Sequence, residues 1–482
     1  MNKPLRRVSV FCLTLIVALM GWVTWIQGAK ADAYQSDPHN PRVTIGKYAA
    51  PMGNILVDDR PVTGSAETSG SLRYKRTYTD GALYAPVTGF ASQVYGSTQL
   101  EALYGDLLDG TDSRLQSPVD ALSRKRPKGG DVATTIDASV QKAGYAALGG
   151  KKGAAVALDP ATGKILGMVS TPSYDPGKFA GSDDKDAKAW RTMSDDPDSP
   201  EVNRALRQSL PPGSTFKLVV AAAALEDGLY SSVDEPTRSP DPYTLPHTRT
   251  QLTNESASAP CENADIRTAL RYSCNTVFAK MAADLGQDKV RAQAEKFGFN
   301  DGKIDTPVRT GKSVYPKDMD EAQTALSGIG QFDDQATPMQ MAMVAAAIAN
   351  GGELKTPQLV DRLTDGSGNT LEEPGTKTYG RTMSAHTAEQ LRSAMRTVVE
   401  QGTGTNAKID GLTVGGKTGT AQHGVDNSGT PYAWFVSYAQ DDRGRQVAVA
   451  VMVEDSGAAR DEVSGNGLAA PVARAMMKAA LR

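Results

Sequence analysis

The sequence predicts an α/β (α+β) protein: one antiparallel sheet with a helical subdomain, preceded by a β-rich N-terminal pedestal and one transmembrane helix. Three observations carry this. An uncharged apolar run opens the chain, an irregular Gly- and Pro-rich stretch follows, and strand patterns then flank an all-helical middle. The 482 residues leave room for two or three domains. A formal net charge of −3, from 52 basic and 55 acidic side chains, excludes a protein that holds nucleic acid by neutralising phosphates.

Taken in chain order, Lys3, Arg6 and Arg7 precede the uncharged run Val8 to Ile26, with Trp22 and Trp25 near its far end. About 19 apolar residues suffice for a helix to cross the hydrocarbon layer, and the basic N-terminal flank predicts N-in, C-out topology. A cleaved signal peptide is the competing reading, because Ala29-Lys30-Ala31 resembles a small-x-small site. The length of the run favours a retained anchor, and both readings place the remaining chain outside the cytoplasm. Residues 28–131 carry short alternating runs, such as Arg42 to Ile45 and Leu83 to Val87, and one short helix around Gln99 to Leu108. Ser123 to Gly130 is expected to be a basic, solvated hinge.

From residue 132 the texture changes. Val132 to Asp137 reads as a strand ending in an N-capping Asp, followed by a helix from Ala138 to Leu148. Gly153 to Leu158 and Lys164 to Ser170 read as a hairpin around Asp159-Pro160-Ala161-Thr162-Gly163. Gly181 to Pro200 is acidic and is expected as a surface excursion. Helices are expected over Thr215 to Glu226, Ile266 to Leu285, Lys289 to Phe297 and Pro338 to Asn350. Strands return at Leu412 to Gln422, Ala433 to Ala439 and Gln446 to Glu454, before a last helix, Gly467 to Leu481. The sheet is therefore assembled from both ends of this region.

Chemistry concentrates in three places. Pro211-Pro212-Gly213 cannot continue a preceding helix, so Ser214 falls at the start of a new one, near unpaired N–H groups. Lys217 follows one turn later on the same face, among Phe216, Leu218 and an Ala run that would desolvate its ammonium and make it a base for the serine. The pattern alone is weak: Ser182 to Lys185 repeats it in an acidic loop, with no helix for Ser182 to begin. A capping serine beside a snorkelling lysine is the bland alternative. Ser273 and Asn275 interrupt an apolar helix pattern, and could equally be hydrogen-bonded helix residues. Lys417, Thr418, Gly419 and Thr420 lie on a glycine-containing strand that a ligand backbone can approach closely; the alternative is a hairpin with an exposed lysine.

With these three elements in order, the chain resembles the class B penicillin-binding proteins, and the likeness extends over Asp131 to Gln141, Gly153 to Pro176, Gly328 to Gln331 and Trp434-Phe435. It also takes in Tyr95-Gly96 with Glu101 in the pedestal. The resemblance implies a penicillin-binding transpeptidase fold in residues 132–482, a pedestal or dimerisation domain in 28–131, and an anchor in 1–27. It implies a D,D-transpeptidase that cross-links peptidoglycan stem peptides ending in D-Ala-D-Ala and is acylated by β-lactam antibiotics. Ser214 would be the nucleophile and Lys217 its base. Ser273 would relay a proton to the leaving group, with Lys417 and Lys217 tuning its hydroxyl, Asn275 would bond the substrate amide and hold Lys217, and Thr418, Gly419 and Thr420 would line the substrate. The backbone N–H groups of Ser214 and Thr420 would form the oxyanion hole. Gln440 stands where the family usually has Pro.

Neither cofactor nor metal is expected: the four His are scattered at His39, His247, His386 and His423. A polytopic glycan polymerase in the membrane is the implied partner, because nothing between Ile26 and Asp131 is large enough for a second catalytic domain. Two further function classes remain open from sequence. One is a D,D-carboxypeptidase or β-lactam hydrolase, which would need a carboxylate near the acyl ester; the other is a non-enzymatic β-lactam sensor. Cys261 and Cys274 could pair outside the membrane or remain two free thiols.

Overall fold

The computed structural model describes residues 3–30, 34, 41–70, 72–116, 127–424 and 427–482. Half of the expected hinge, Ser123 to Arg126, lies outside them, as do Ala31 and His39. The opening helix runs from Lys3 to Ala29, with mean hydropathy 2.1 over its most apolar window and no residue buried against the rest of the protein.

In the C-terminal region, helix α1 (Ala138–Leu148) is capped by Asp137, whose side chain accepts from the N–H groups of Ser139 and Val140. Five antiparallel strands follow in sequence as β1 (Lys152–Leu158), β2 (Ile165–Thr171), β3 (Thr413–Ala421), β4 (Tyr432–Gln440) and β5 (Gln446–Asp455), arranged in the order β3-β4-β5-β1-β2. Ala155 of β1 pairs with Val451 of β5, so the two ends of the region meet at the centre of the sheet. Period-two alternation divides the sheet between two cores. Val447, Val449 and Val451 face one that contains α1 and the C-terminal helix Ala470–Ala480. Ala448, Ala450 and Met452 face the other, with Lys217–Glu226 and Pro338–Ala349.

Several expectations change. Arg42 to Ile45 and Leu83 to Val87 belong to helices, Pro41–Lys47 and Gly81–Thr88. The second is short and almost wholly buried, so its apolar run carries no helical period to read. The acidic excursion contains a helix, Asp184–Ser194, which Asp183 and Asp186 start with a capping box. A helix therefore does begin beside Ser182, but Asp183 occupies the cap. The expected helix Ile266 to Leu285 is two helices, Ile266–Tyr272 and Asn275–Leu285, broken at Ser273, whose φ is +59°. The 17-residue helix Ala385–Gln401 was not among the expected elements.

The pedestal closes on a buried ion pair. Arg76 Nε donates to Glu101 Oε1 at 2.8 Å, both side chains fully buried, and its other nitrogens reach Gly53 O and Thr63 Oγ1. Strand Asp131–Thr134 stands between the pedestal strand Ile55–Val57 and strand Val360–Thr364 in one mixed sheet. The pedestal and the C-terminal region are thus hydrogen-bonded through a shared strand.

Candidate active site

Ser214 sits in a 3-10 turn, Gly213–Phe216, that leads directly into helix α2 (Lys217–Glu226). Gly213 has φ +53° and donates its N–H to Gly330 O at 3.0 Å. A Cβ on Gly330 would lie 2.0 Å from the Gly213 carbonyl oxygen, so two glycines let the chains touch behind the serine. Phe216 fixes the turn from below, stacked on Tyr315 and edge-on to Phe299.

Lys217 is fully buried. Its Nζ donates to Ser273 O at 2.7 Å, Asn275 Oδ1 at 2.8 Å and Ser273 Oγ at 3.3 Å. Helix α3 (Ile266–Tyr272) ends at Ser273 and helix α4 (Asn275–Leu285) begins two residues on. The break gives the lysine a carbonyl that an unbroken helix would have kept for its own N–H. Asn254 completes the break: its Oδ1 accepts from the N–H of Asn275 at 2.6 Å and of Thr276 at 3.1 Å, satisfying donors at the new helix start. Cys274, between the two motif residues, is disulfide-bonded to Cys261, with Cα atoms 5.6 Å apart.

Lys417 reaches the same hydroxyl from the sheet. Its Nζ donates to Ser273 Oγ at 2.9 Å and to Thr418 O at 2.8 Å, and it too is fully buried. The exposed-lysine alternative for this strand is therefore ruled out. Strand β3 is an edge strand, so one side of its backbone has no strand partner among the described residues. A Cβ on Gly419 would meet Thr215 Cγ2 at 2.9 Å and Pro212 O at 3.0 Å, so only glycine lets this strand lie against the serine turn. Thr418 Oγ1 is 2.8 Å from Thr403 Oγ1.

The electrostatics follow from this burial. Desolvation pushes the Lys217 pKa well below the usual lysine value, and the neighbouring Lys417 pushes it further. Desolvation lowers Lys417 to about 7. In both cases Glu255 acts in the opposite direction. Ser214 lines two cavities, one of about 380 Å³ shared with Asn275 and Thr420, the other of about 220 Å³ shared with Ser273, Thr418 and Thr420. No hydrogen bond joins Ser214 Oγ to Lys217 among the described residues; the lysine is oriented instead by Ser273 and Asn275. Of the eight sequence-predicted positions, Ser214, Ser273, Asn275, Thr418 and Thr420 line the two cavities, Lys217 and Lys417 meet at Ser273, and Gly419 packs against the serine turn. Asn254, Glu255 and Thr403 were missed, because a loop residue that acts through tertiary docking leaves no periodic signal.

The chain is similar to known proteins over its whole length. The family described as penicillin binding protein transpeptidase domain matches residues 153–478, and the penicillin binding protein A dimerisation domain matches residues 52–132. The chain is 40% identical to the peptidoglycan D,D-transpeptidase PbpA of Mycolicibacterium smegmatis, over 100% of this chain and 99% of that protein. It is 38% identical to the protein of the same name from Mycobacterium tuberculosis, with the same coverage. Among solved structures, the ceftriaxone acyl-enzyme of penicillin-binding protein A from M. tuberculosis superposes with a TM-score of 0.83 at 36% identity, covering 91% of this chain and all of that one. The penicillin G acyl-enzyme gives 0.82 at 37% identity, over 89% and 99%.

Proposed function

This chain belongs to the penicillin-binding protein transpeptidase family, and on that premise we propose that it is a serine D,D-transpeptidase that cross-links peptidoglycan and is blocked by β-lactams. The observation that carries the mechanism is the fully buried Lys217, held by Ser273 and Asn275 one helical turn after Ser214. Burial disfavours the charged form of this amine and so supplies the base that a serine hydroxyl requires.

Ser214 Oγ attacks the carbonyl carbon of the penultimate D-Ala as Lys217 takes its proton. The backbone N–H groups of Ser214 and Thr420 receive the oxyanion, a contribution of about 3 kcal/mol per donor in comparable sites. The C–N bond then breaks, and Ser273, bonded to both lysines, passes a proton to the departing D-Ala nitrogen. Lys417, Thr418 and Thr420 hold the terminal carboxylate, and Gly419 lets their strand lie against the serine turn. An acceptor amine attacks the resulting ester, restoring Ser214. In a β-lactam the same attack opens the ring, but the leaving nitrogen stays tethered and obstructs the acceptor.

Residues 1–27 serve as a single-pass membrane anchor, 28–131 as the pedestal and 132–482 as an extracytoplasmic transpeptidase domain. The apolar helix Lys3–Ala29 and its basic flank support this placement. Glycan strands come from a polytopic polymerase docked on anchor and pedestal; the dimerisation and transpeptidase matches, residues 52–132 and 153–478, take up most of the chain.

The test uses full-length protein in membranes exposed to a fluorescent penicillin. One covalent label should form, sediment with the membranes and persist, and Ser214→Ala should abolish it. Rapid loss of label with return of active enzyme would identify a hydrolase instead.

A further inference from the structure

Glu255 meets the cleft from a loop that is tied twice to the helix carrying Asn275. Asn254 caps that helix through the N–H groups of Asn275 and Thr276, and Cys261, farther along the loop, is bonded to Cys274. Between these ties, Glu255 is exposed to solvent. Three residues line both cavities beside Ser214: Ser214 itself, Thr420 and Glu255. Among the described residues, Glu255 is the only ionisable side chain lining either cavity. It also acts electrostatically on both Lys217 and Lys417.

A transpeptidase must bring two substrates to one serine, and the second is an amine that travels mostly as an ammonium. Water competes with it at every turnover. A carboxylate where the two cavities meet attracts the cation and leaves water indifferent.

We propose that Glu255 is a specificity-determining residue that selects the cationic acceptor amine over water at the Ser214 ester. The proposal rests on the transpeptidase reading above. In the step it serves, the nitrogen lone pair forms a bond to the ester carbonyl carbon and the bond from that carbon to Ser214 Oγ breaks. Of the two protons the ammonium loses, one ends on Ser214 Oγ and the other leaves through Lys217 to solvent. Glu255 gives only an ionic contact to the incoming nitrogen.

The test measures how the acyl-enzyme from a peptide thioester donor partitions between transfer and hydrolysis, using full-length protein in detergent. Glycinamide serves as a cationic acceptor and hydroxylamine as one that is largely neutral at the same pH. Glu255→Gln should lower the transfer-to-hydrolysis ratio for glycinamide about fivefold, the size of one exposed charge pair. The ratio for hydroxylamine should stay within error, and raised salt should imitate the substitution in the unaltered protein. An unchanged glycinamide ratio would overturn the proposal, as would an equal fall with both acceptors. A selective fall in hydrolysis would overturn it too, by making Glu255 the base for water. If unaltered protein forms no ester on Ser214, the transpeptidase reading fails first and the proposal falls with it.

Discussion

Lys217 and Lys417 meet at a single hydroxyl, and two ammonium groups at that distance inside a protein cannot both stay charged. Burial lowers both, and Lys217 carries the extra effect of its neighbour. The sign for catalysis follows. Lys217 must be unprotonated to receive the serine proton, so acylation falls as pH drops through its depressed pKa. Lys417 attracts a substrate carboxylate only when protonated, so acylation also falls as pH rises through about 7. The second-order rate of acylation by a carboxylate-bearing β-lactam should therefore be bell-shaped in pH, and Lys417→Gln should flatten the alkaline limb. A profile rising monotonically to pH 9 or so would contradict this assignment. At this scale the sequence was largely legible: Pro-Pro-Gly before Ser214 and the apolar run after Lys217 set the serine and lysine by local rules. That Lys417 is buried was not legible, because its burial depends on Ser273, far away in the chain.

Among elements, the break between Ile266–Tyr272 and Asn275–Leu285 matters most. The apolar pattern resumes after Ser273 and Asn275, which is why one helix was expected; the break itself is imposed from outside. Ser273 adopts a left-handed conformation, its carbonyl is taken by Lys217, and Asn254 from a distant loop caps the restart. Asn254→Ala removes the acceptor for two N–H groups and should cost about 1–2 kcal/mol of stability by thermal or denaturant unfolding. It should also slow acylation, since Asn275 sets the direction of Lys217. Loss of stability with an unaltered acylation rate would confine Asn254 to a purely structural role. The helix Ala385–Gln401 teaches the reverse lesson. Its buried Ala388, Leu391, Ala394, Met395 and Val398 follow helical spacing behind an N-capping Ser384, so its signal was local and readable.

On the scale of the whole molecule, the long apolar N-terminal helix, the pedestal and the two-ended sheet were all expected, but the joint between pedestal and sheet region was not. A shared strand, Asp131–Thr134, makes the pedestal continuous in hydrogen bonding with the strand Val360–Thr364. The Arg76–Glu101 pair stiffens the pedestal side of that joint. Glu101→Ala would leave a buried guanidinium without its counter-charge and should destabilise the protein by about 3–5 kcal/mol, read as a large fall in unfolding temperature. A change of only a degree or two would mean that water reaches the pair. The two-ended sheet has a kinetic consequence. As the chain emerges N-terminus first, the hairpin of β1 and β2 is complete early, but the free edge of β1 waits for β5 near the other end. Contact order is therefore high, and a hydrophobic strand edge stays open to other chains through most of synthesis. Folding of this protein should be slow and vulnerable to aggregation until its last strands arrive.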